Sequence, residues 1–159
     1  MEGPFEAEPG VLDVRAGYTG GKTKNPSYGE VSTGSTGHIE AIEITYDPSK
    51  VSYERLLEIF WRQIDPTDDT GQFADKGSQY VTAVFYADDA QKKAAEKSKK
   101  ELEDSGIFKK KIVTKIRPAS EVYYAEDYHQ DYYKKNPLHY NLYKNGSGRA
   151  GFLKKVWGK

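Results

Sequence analysis

Residues 36–48 read TGHIEAIEITYDP, and one carboxylate in them stands on the wrong side of its strand. From His38 to Tyr46 the residues alternate with the period of two that sends successive side chains to opposite faces of a β-strand. One face carries Ile39, Ala41, Glu43 and Thr45; the other carries Glu40, Ile42, Ile44 and Tyr46. Glu40 therefore shares a face with two isoleucines and a tyrosine. A carboxylate at a strand end can reach water or pair with a Lys or Arg. Where apolar neighbours surround it, desolvation raises its pKa by up to roughly 3–5 units. Such a group holds a proton near neutral pH and can act as a general acid.

Outward from this strand, the chain reads as one mixed α/β domain over 1–159. Before it, VLDVRAGY (11–18) predicts a strand that stops at Gly20-Gly21, and residues 19–37, rich in glycine and carrying Asn25-Pro26, predict a long loop. A structureless stretch of that length in a compact domain is usually functional. After it, Asp47-Pro48 ends the strand and Ser52 is an N-cap for a helix to about Ile64, with Tyr53, Leu56, Leu57, Phe60 and Ile64 at helical spacing. A second glycine-containing loop spans 65–79. YVTAVFYA (80–87) predicts a strand, Asp88 or Asp89 caps a charged helix to about Asp104 that ends before Gly106, and KIVTKIRPA (111–119) predicts the last strand. A short helix stops before Pro137, and 138–159 reads as an irregular aromatic tail. Residues 1–10 offer only a short helix between Pro4 and Pro9.

Bulk properties narrow the function. Lys+Arg and Asp+Glu are 24 each, and this balance argues against nucleic acid, whose phosphates call for a basic excess. An RNA-binding αβ plait fits the outline, yet no basic–aromatic run supports it. Hydrophobic residues make up 36% of the chain, yet 13 are tyrosines, which offer both a flat surface and a hydroxyl. No apolar run reaches membrane length and no signal segment opens the chain, so a soluble, cytoplasmic monomer with no membrane partner is expected. The chain has no cysteine, which excludes disulfides, thiolate metal sites and thiol chemistry by its own residues.

Beside Glu40, three residues are candidates for the site. Tyr28, in NPSY, ends the glycine loop's first part; its ordinary role would be surface packing. Asp75 and Tyr80, in DKGSQY, flank the mouth of the next strand, where an Asx-capped turn is the plain alternative. Glu126 and His129 lie one turn apart and could ligate a metal, but no third ligand is evident and no metal or other cofactor is expected. The Lys92–Lys100 region reads as a solvated helix face with pairs such as Glu96 and Lys100.

The ordered strings GYTGG, NPSYGEV, STGHIEAIEITYDP, FWRQIDPTD, GQFADKGSQY and YYAEDYHQDYYKKNP resemble the A-type methionine sulfoxide reductases over essentially the whole chain. The resemblance implies a two-layer α/β fold with a mixed sheet, ferredoxin-like, and an oxidoreductase that reduces the S epimer of methionine sulfoxide, free or in proteins, repairing an oxidised side chain. In that family a thiolate attacks the sulfoxide sulfur while the oxygen takes a proton and leaves as water. Glu40 matches the family's acid, Tyr28 and Tyr80 the tyrosines that hydrogen-bond the sulfoxide oxygen, and Asp75 the aspartate that organises the site. His38, next in the motif, is given no catalytic role.

The chain departs from the family at the nucleophile. The family's cysteine lies in a GCFW motif between a first, central strand and the first helix, where the helix dipole favours a thiolate. MEGPFEAEPGVL resembles the segment just after that motif, so the first central strand and the nucleophile would fall before Met1. The resolving cysteines usual in the C-terminal tail are absent as well. Three accounts are open: a selenocysteine codon misread as a stop with the start assigned downstream, which is preferred because every other site residue is present; a truncated cysteine form; or a non-catalytic module that binds methionine-sulfoxide peptides. In each, the chain as written is expected to be inactive. The implied external reductant is a thiol: thioredoxin, glutaredoxin or a small thiol, with the latter two favoured when no resolving cysteine is present.

Overall fold

The computed structural model describes residues 1–158. Strand β1 (Val11–Thr19) pairs antiparallel with β2 (Ile39–Tyr46) along their whole length, with Ala16 opposite Ile42 and Tyr18 opposite Glu40. Residues opposite one another in a ladder share a face. Val14, Ile42, Ile44 and Tyr46 accordingly join one apolar cluster, and Glu40 ends that stripe, as its alternation requires. The short β7 (Tyr123–Tyr124) covers the other edge of β1, giving the order β2-β1-β7.

Helix α3 (Tyr53–Trp61) joins the two halves of the core. Ser52 caps it, its hydroxyl accepting from the Arg55 N–H at 3.1 Å. Leu56 and Ile59 pack with Phe5, Val14 and Val51 on the β1–β2 side. Leu57 and Trp61 pack on the opposite side with Ile64, Val84, Leu102 and Ile112. Each such buried side chain contributes about 2 kcal/mol by leaving water. The second cluster is roofed by α4 (Asp89–Asp104), capped by the Asp88 carboxylate accepting from the Gln91 N–H at 2.8 Å. Beneath it β5 (Ala83–Tyr86) pairs in parallel with β6 (Lys115–Pro118). On α4 the ion pairs are Lys97–Glu101 at 3.8 Å and Lys100–Asp104 at 3.3 Å, in place of the expected Glu96–Lys100.

The strand expected over 80–87 covers only 83–86, Tyr80 lying in a 3₁₀ turn, and the fold departs from expectation more widely in four other places. The expected single mixed sheet is divided: β2-β1-β7 and β5-β6 are separate, and a two-residue hairpin of β3 (Gly71–Gln72) and β4 (Asp75–Lys76) stands alone. Residues 19–37 are not all loop. Helix α2 (Tyr28–Ser32) forms there because Ser27 and Glu30 make a reciprocal capping box. The last strand covers only 115–118; Thr114 is buried against the Thr82 hydroxyl at 2.7 Å and Val113 donates to the Pro66 carbonyl, so 111–114 has no ladder partner. Finally, the tail is helical. After a 3₁₀ turn (Asp127–His129) and α5 (Tyr132–Lys135), Pro137 starts α6 (Pro137–Gly146) as well as ending what precedes it, and α7 (Arg149–Trp157) follows. Only residue 159 of that tail lies outside the described residues. Near the start of the chain α1 (Glu2–Glu6) lies earlier than the helix expected between Pro4 and Pro9, with Pro4 inside its first turn, where a missing N–H is tolerated. Among the described residues no helix is long and apolar enough to cross a membrane.

Candidate active site

Between the two sheets lies a cavity of about 610 Å³. Its walls include the consecutive residues 39–44 of β2 and 80–85 leading into β5. Alternate residues of a strand line a space that its face borders; consecutive ones line a space that its edge borders. The edges of β2 and β5 away from their partners thus look at each other across an empty slot.

Glu40, Asp75 and Tyr80 all line this cavity. Glu40 is itself exposed at the end of β2, and the open space it meets is this protein-walled cavity, which displaces part of the carboxyl's water. Burial, and secondarily the Asp75 carboxylate, push its pKa up to about 7 from the ordinary 4.5. Tyr80 closes a 3₁₀ turn (Ser78–Tyr80) and faces the same two carboxylates. Burial first, then the Glu40 charge, push its phenol up to about 12, so it remains a hydrogen-bond donor throughout the neutral range. Tyr28 stands beside Tyr80 but is not part of the cavity wall; it is 37% exposed, its ring 4.7 Å from that of His129, which does line the cavity. Three of the four residues singled out in the sequence line one cavity, and Tyr28 adjoins Tyr80 from outside its wall.

Asp75 is set by a tight turn. Gly71 has φ +152, and a Cβ there would lie 2.2 Å from the Asp75 carbonyl oxygen. Phe73, at the tip, holds φ +54, a left-handed conformation that a phenylalanine adopts only under constraint.

Other residues brought to the site were not anticipated. Tyr18, 2% exposed and opposite Glu40 in the ladder, donates its hydroxyl to Glu126 at 3.2 Å; burial foremost, then Glu126, holds its phenol protonated far above the neutral range. Its place in VLDVRAGY, two and four residues after Ala16 and Val14, is the signal that could have marked it. Glu126 also accepts from the Tyr28 N–H at 3.0 Å, and that bond leads the causes lowering its pKa. Its oxygens thus tie strand to loop, in place of the metal pairing with His129 weighed above. His38 is a buried pin: its Nδ1 accepts from Gly21 N–H at 3.0 Å while Nε2–H donates to the Thr23 carbonyl at 2.6 Å. From the tail, Tyr143 donates its hydroxyl to Asp75, and Arg149 lines the cavity. Met1 lines it too, its amine lowered to about 6 mainly by burial.

This arrangement can present phenolic donors and a protonated carboxyl to one oxygen atom, but holds no thiol. The family model for peptide methionine sulfoxide reductase matches residues 1–159. The peptide methionine sulfoxide reductase MsrA of Bacillus licheniformis is 56% identical over 159 residues, covering 100% of this chain and 88% of its own. That of Bacillus subtilis is 57% identical over 158 residues, with 99% and 89% covered. Among solved structures, reduced Mxr1 from Saccharomyces cerevisiae superposes with TM-score 0.76 at 36% identity, covering 81% of this chain and 74% of that one. Methionine sulfoxide reductase A of Corynebacterium diphtheriae does so with TM-score 0.72 at 36% identity, covering 84% and 68%. The chain belongs to the peptide methionine sulfoxide reductase family.

Proposed function

We propose that this chain supplies the proton-donating, oxygen-binding half of a methionine S-sulfoxide reductase. The nucleophilic half is an extended segment, outside these 159 residues, seated in the slot between β2 and β5. One observation carries the reading: Glu40 sits on the cavity wall beside Asp75 and Tyr80 with its pKa pushed up to about 7. Tyr80 and Tyr28 hold the sulfoxide oxygen. Glu40 gives it a proton as a thiolate from the added segment attacks the sulfur, because an unprotonated oxygen is a poor leaving group. In balance, one sulfoxide and two thiols give one thioether, one disulfide and one water. The second thiol comes from outside, as a small thiol or a glutaredoxin acting directly, since the chain has no resolving cysteine of its own.

Three features support a strand in the slot. The facing edges of β2 and β5 are unpaired, and unpaired edges invite a partner. A strand between them would join the separate sheets into one mixed, ferredoxin-like sheet. The Bacillus licheniformis relative has unmatched residues beyond the 88% that aligns, and Met1 faces the slot, so a segment joined to it could enter.

The test compares the 159-residue chain with a form extended upstream by a strand and a cysteine, assayed for dithiothreitol-driven reduction of methionine S-sulfoxide. Turnover is expected only in the extended form. Turnover by the shorter chain would disprove the assignment of the nucleophile. Calorimetric binding of the sulfoxide by the extended form without reduction would leave a non-catalytic binding module.

A further inference from the structure

The C-terminal helices touch the β3–β4 hairpin at its far strand and at its tip. Tyr143 of α6 donates to the Asp75 carboxylate at the hairpin's far strand. From α7, the Arg149 guanidinium lies 4.6 Å from the centroid of the Phe73 ring, and Phe152 meets that ring edge-on at 5.4 Å. Arg149 is itself anchored, donating to the Gln63 carbonyl at 2.5 Å, and α7 is docked by Trp157 on the second core cluster. Local bonds hold the base of the hairpin, Gln72 accepting from the Asp65 N–H at 2.9 Å and donating to its carbonyl at 2.7 Å and Lys76 pairing with Asp68 at 2.6 Å, while the tail meets Asp75 and the tip. The hairpin's ladder is two residue pairs long, and its tip carries the left-handed Phe73. A turn of that kind persists only when its surroundings fix it.

We propose that the tail is part of the active site: Tyr143 is a positioning residue that holds the Asp75 carboxylate toward Glu40, while Arg149 and Phe152 clamp the turn that carries it. This rests on the reading of Glu40 as the acid. The charged and titratable groups facing Glu40 are Asp75 on β4, Tyr18 on β1 and Tyr80 in the 3₁₀ turn. Asp75 in turn faces Tyr143 and Arg149. Without the Tyr143 hydroxyl, Asp75 turns to the Arg149 cation and away from Glu40, and Glu40 loses the like charge that helps keep its proton.

The experiment is a carbon-13 NMR titration of Glu40 in the full chain, in Tyr143→Phe, in Asp75→Asn and in the double variant. Tyr143 is 41% exposed, so its loss leaves the core intact, which near-UV circular dichroism checks. Tyr143→Phe is expected to lower the Glu40 midpoint by about 0.5 pH unit, and to do nothing further once Asp75 is Asn. A Glu40 midpoint that does not fall, or that falls equally in the Asp75→Asn background, overturns the proposal and leaves the tail as packing alone. A parent midpoint near the ordinary 4.5 would instead refute the reading of Glu40 itself.

Discussion

The two walls of the cavity are built in opposite ways. Glu40 stands on a long ladder: β1 and β2 register from Val11–Tyr46 to Thr19–Ile39, and the apolar half of β2 is packed on α3. Its place follows from residues adjacent in sequence and from a period of two. Asp75 stands on a hairpin of two pairs whose shape depends on Gly71, whose base is tied locally by Gln72 to Asp65 and by Lys76 to Asp68, and whose Asp75 carboxylate is met from 68 residues away by Tyr143. One wall is rigid because the fold requires it. The other is a short ladder held by side-chain bonds and by distant elements, and such regions open locally at lower free energy than the core.

The sharpest way to break the comparison is through chemistry on the rigid wall. In the cysteine-bearing extended form, Glu40→Gln is expected to lower turnover at pH 7 by about 10²–10⁴-fold, the ordinary worth of a general acid. Sulfoxide affinity should change only a few-fold, because the amide keeps the shape and a donor. Steady-state and binding measurements together check this; turnover within threefold of the parent would remove Glu40 from the mechanism.

Next in size comes damage to the weaker wall. Gly71→Ala places a Cβ 2.2 Å from the Asp75 carbonyl oxygen and 2.8 Å from the Lys76 Cα, both backbone atoms, at φ +152. It is expected to cost about 2 kcal/mol. The loss should be local: faster amide exchange over 70–77, with protection in β1, β2 and α3 unchanged. Equal loss of protection across β1 and β2 would mean that the hairpin and ladder fold as one unit, and the contrast would fail.

What could be read from the sequence follows the same division. The face of Glu40, the Ser52 and Asp88 caps and the apolar stripe of α3 are carried by short-range pattern, and all are present. The capping box at Ser27 and Glu30 was equally local but hidden among glycines. Ladders of two residues, such as Gly71–Gln72 with Asp75–Lys76, are too short to show any period. The tail helices have no clear apolar stripe: α6 leaves Leu138 and Leu142 exposed at 73% and 64%. Proline 137 marked an end and concealed a beginning. Tyr143 and Arg149 reach Asp75 through tertiary packing, for which no spacing in the chain is a cue.

The smallest effect is a pH dependence, and its sign is fixed. Glu40 has a folded pKa pushed up to about 7 against an ordinary 4.5, so the folded chain binds its proton more tightly than the unfolded chain does. The associated stability is fully present below 4.5 and is lost as pH rises through about 7, where an ionised carboxylate remains on an apolar wall. Glu40→Gln removes that ionisation. It should leave the thermal midpoint unchanged relative to the parent near pH 4, and raise it near pH 8. Water in the open cavity screens the charge, so the gain is about 1 kcal/mol, well under what the full shift would give. Filling the slot in the extended form removes that water and should enlarge the gain. Asp75→Asn, read in the same melts, relieves the like charge without touching Glu40 and should recover only part of it. An Asp75→Asn gain as large as that of Glu40→Gln would show that repulsion across the cavity, more than the apolar ladder, raises the acid, and the two walls would then share one role.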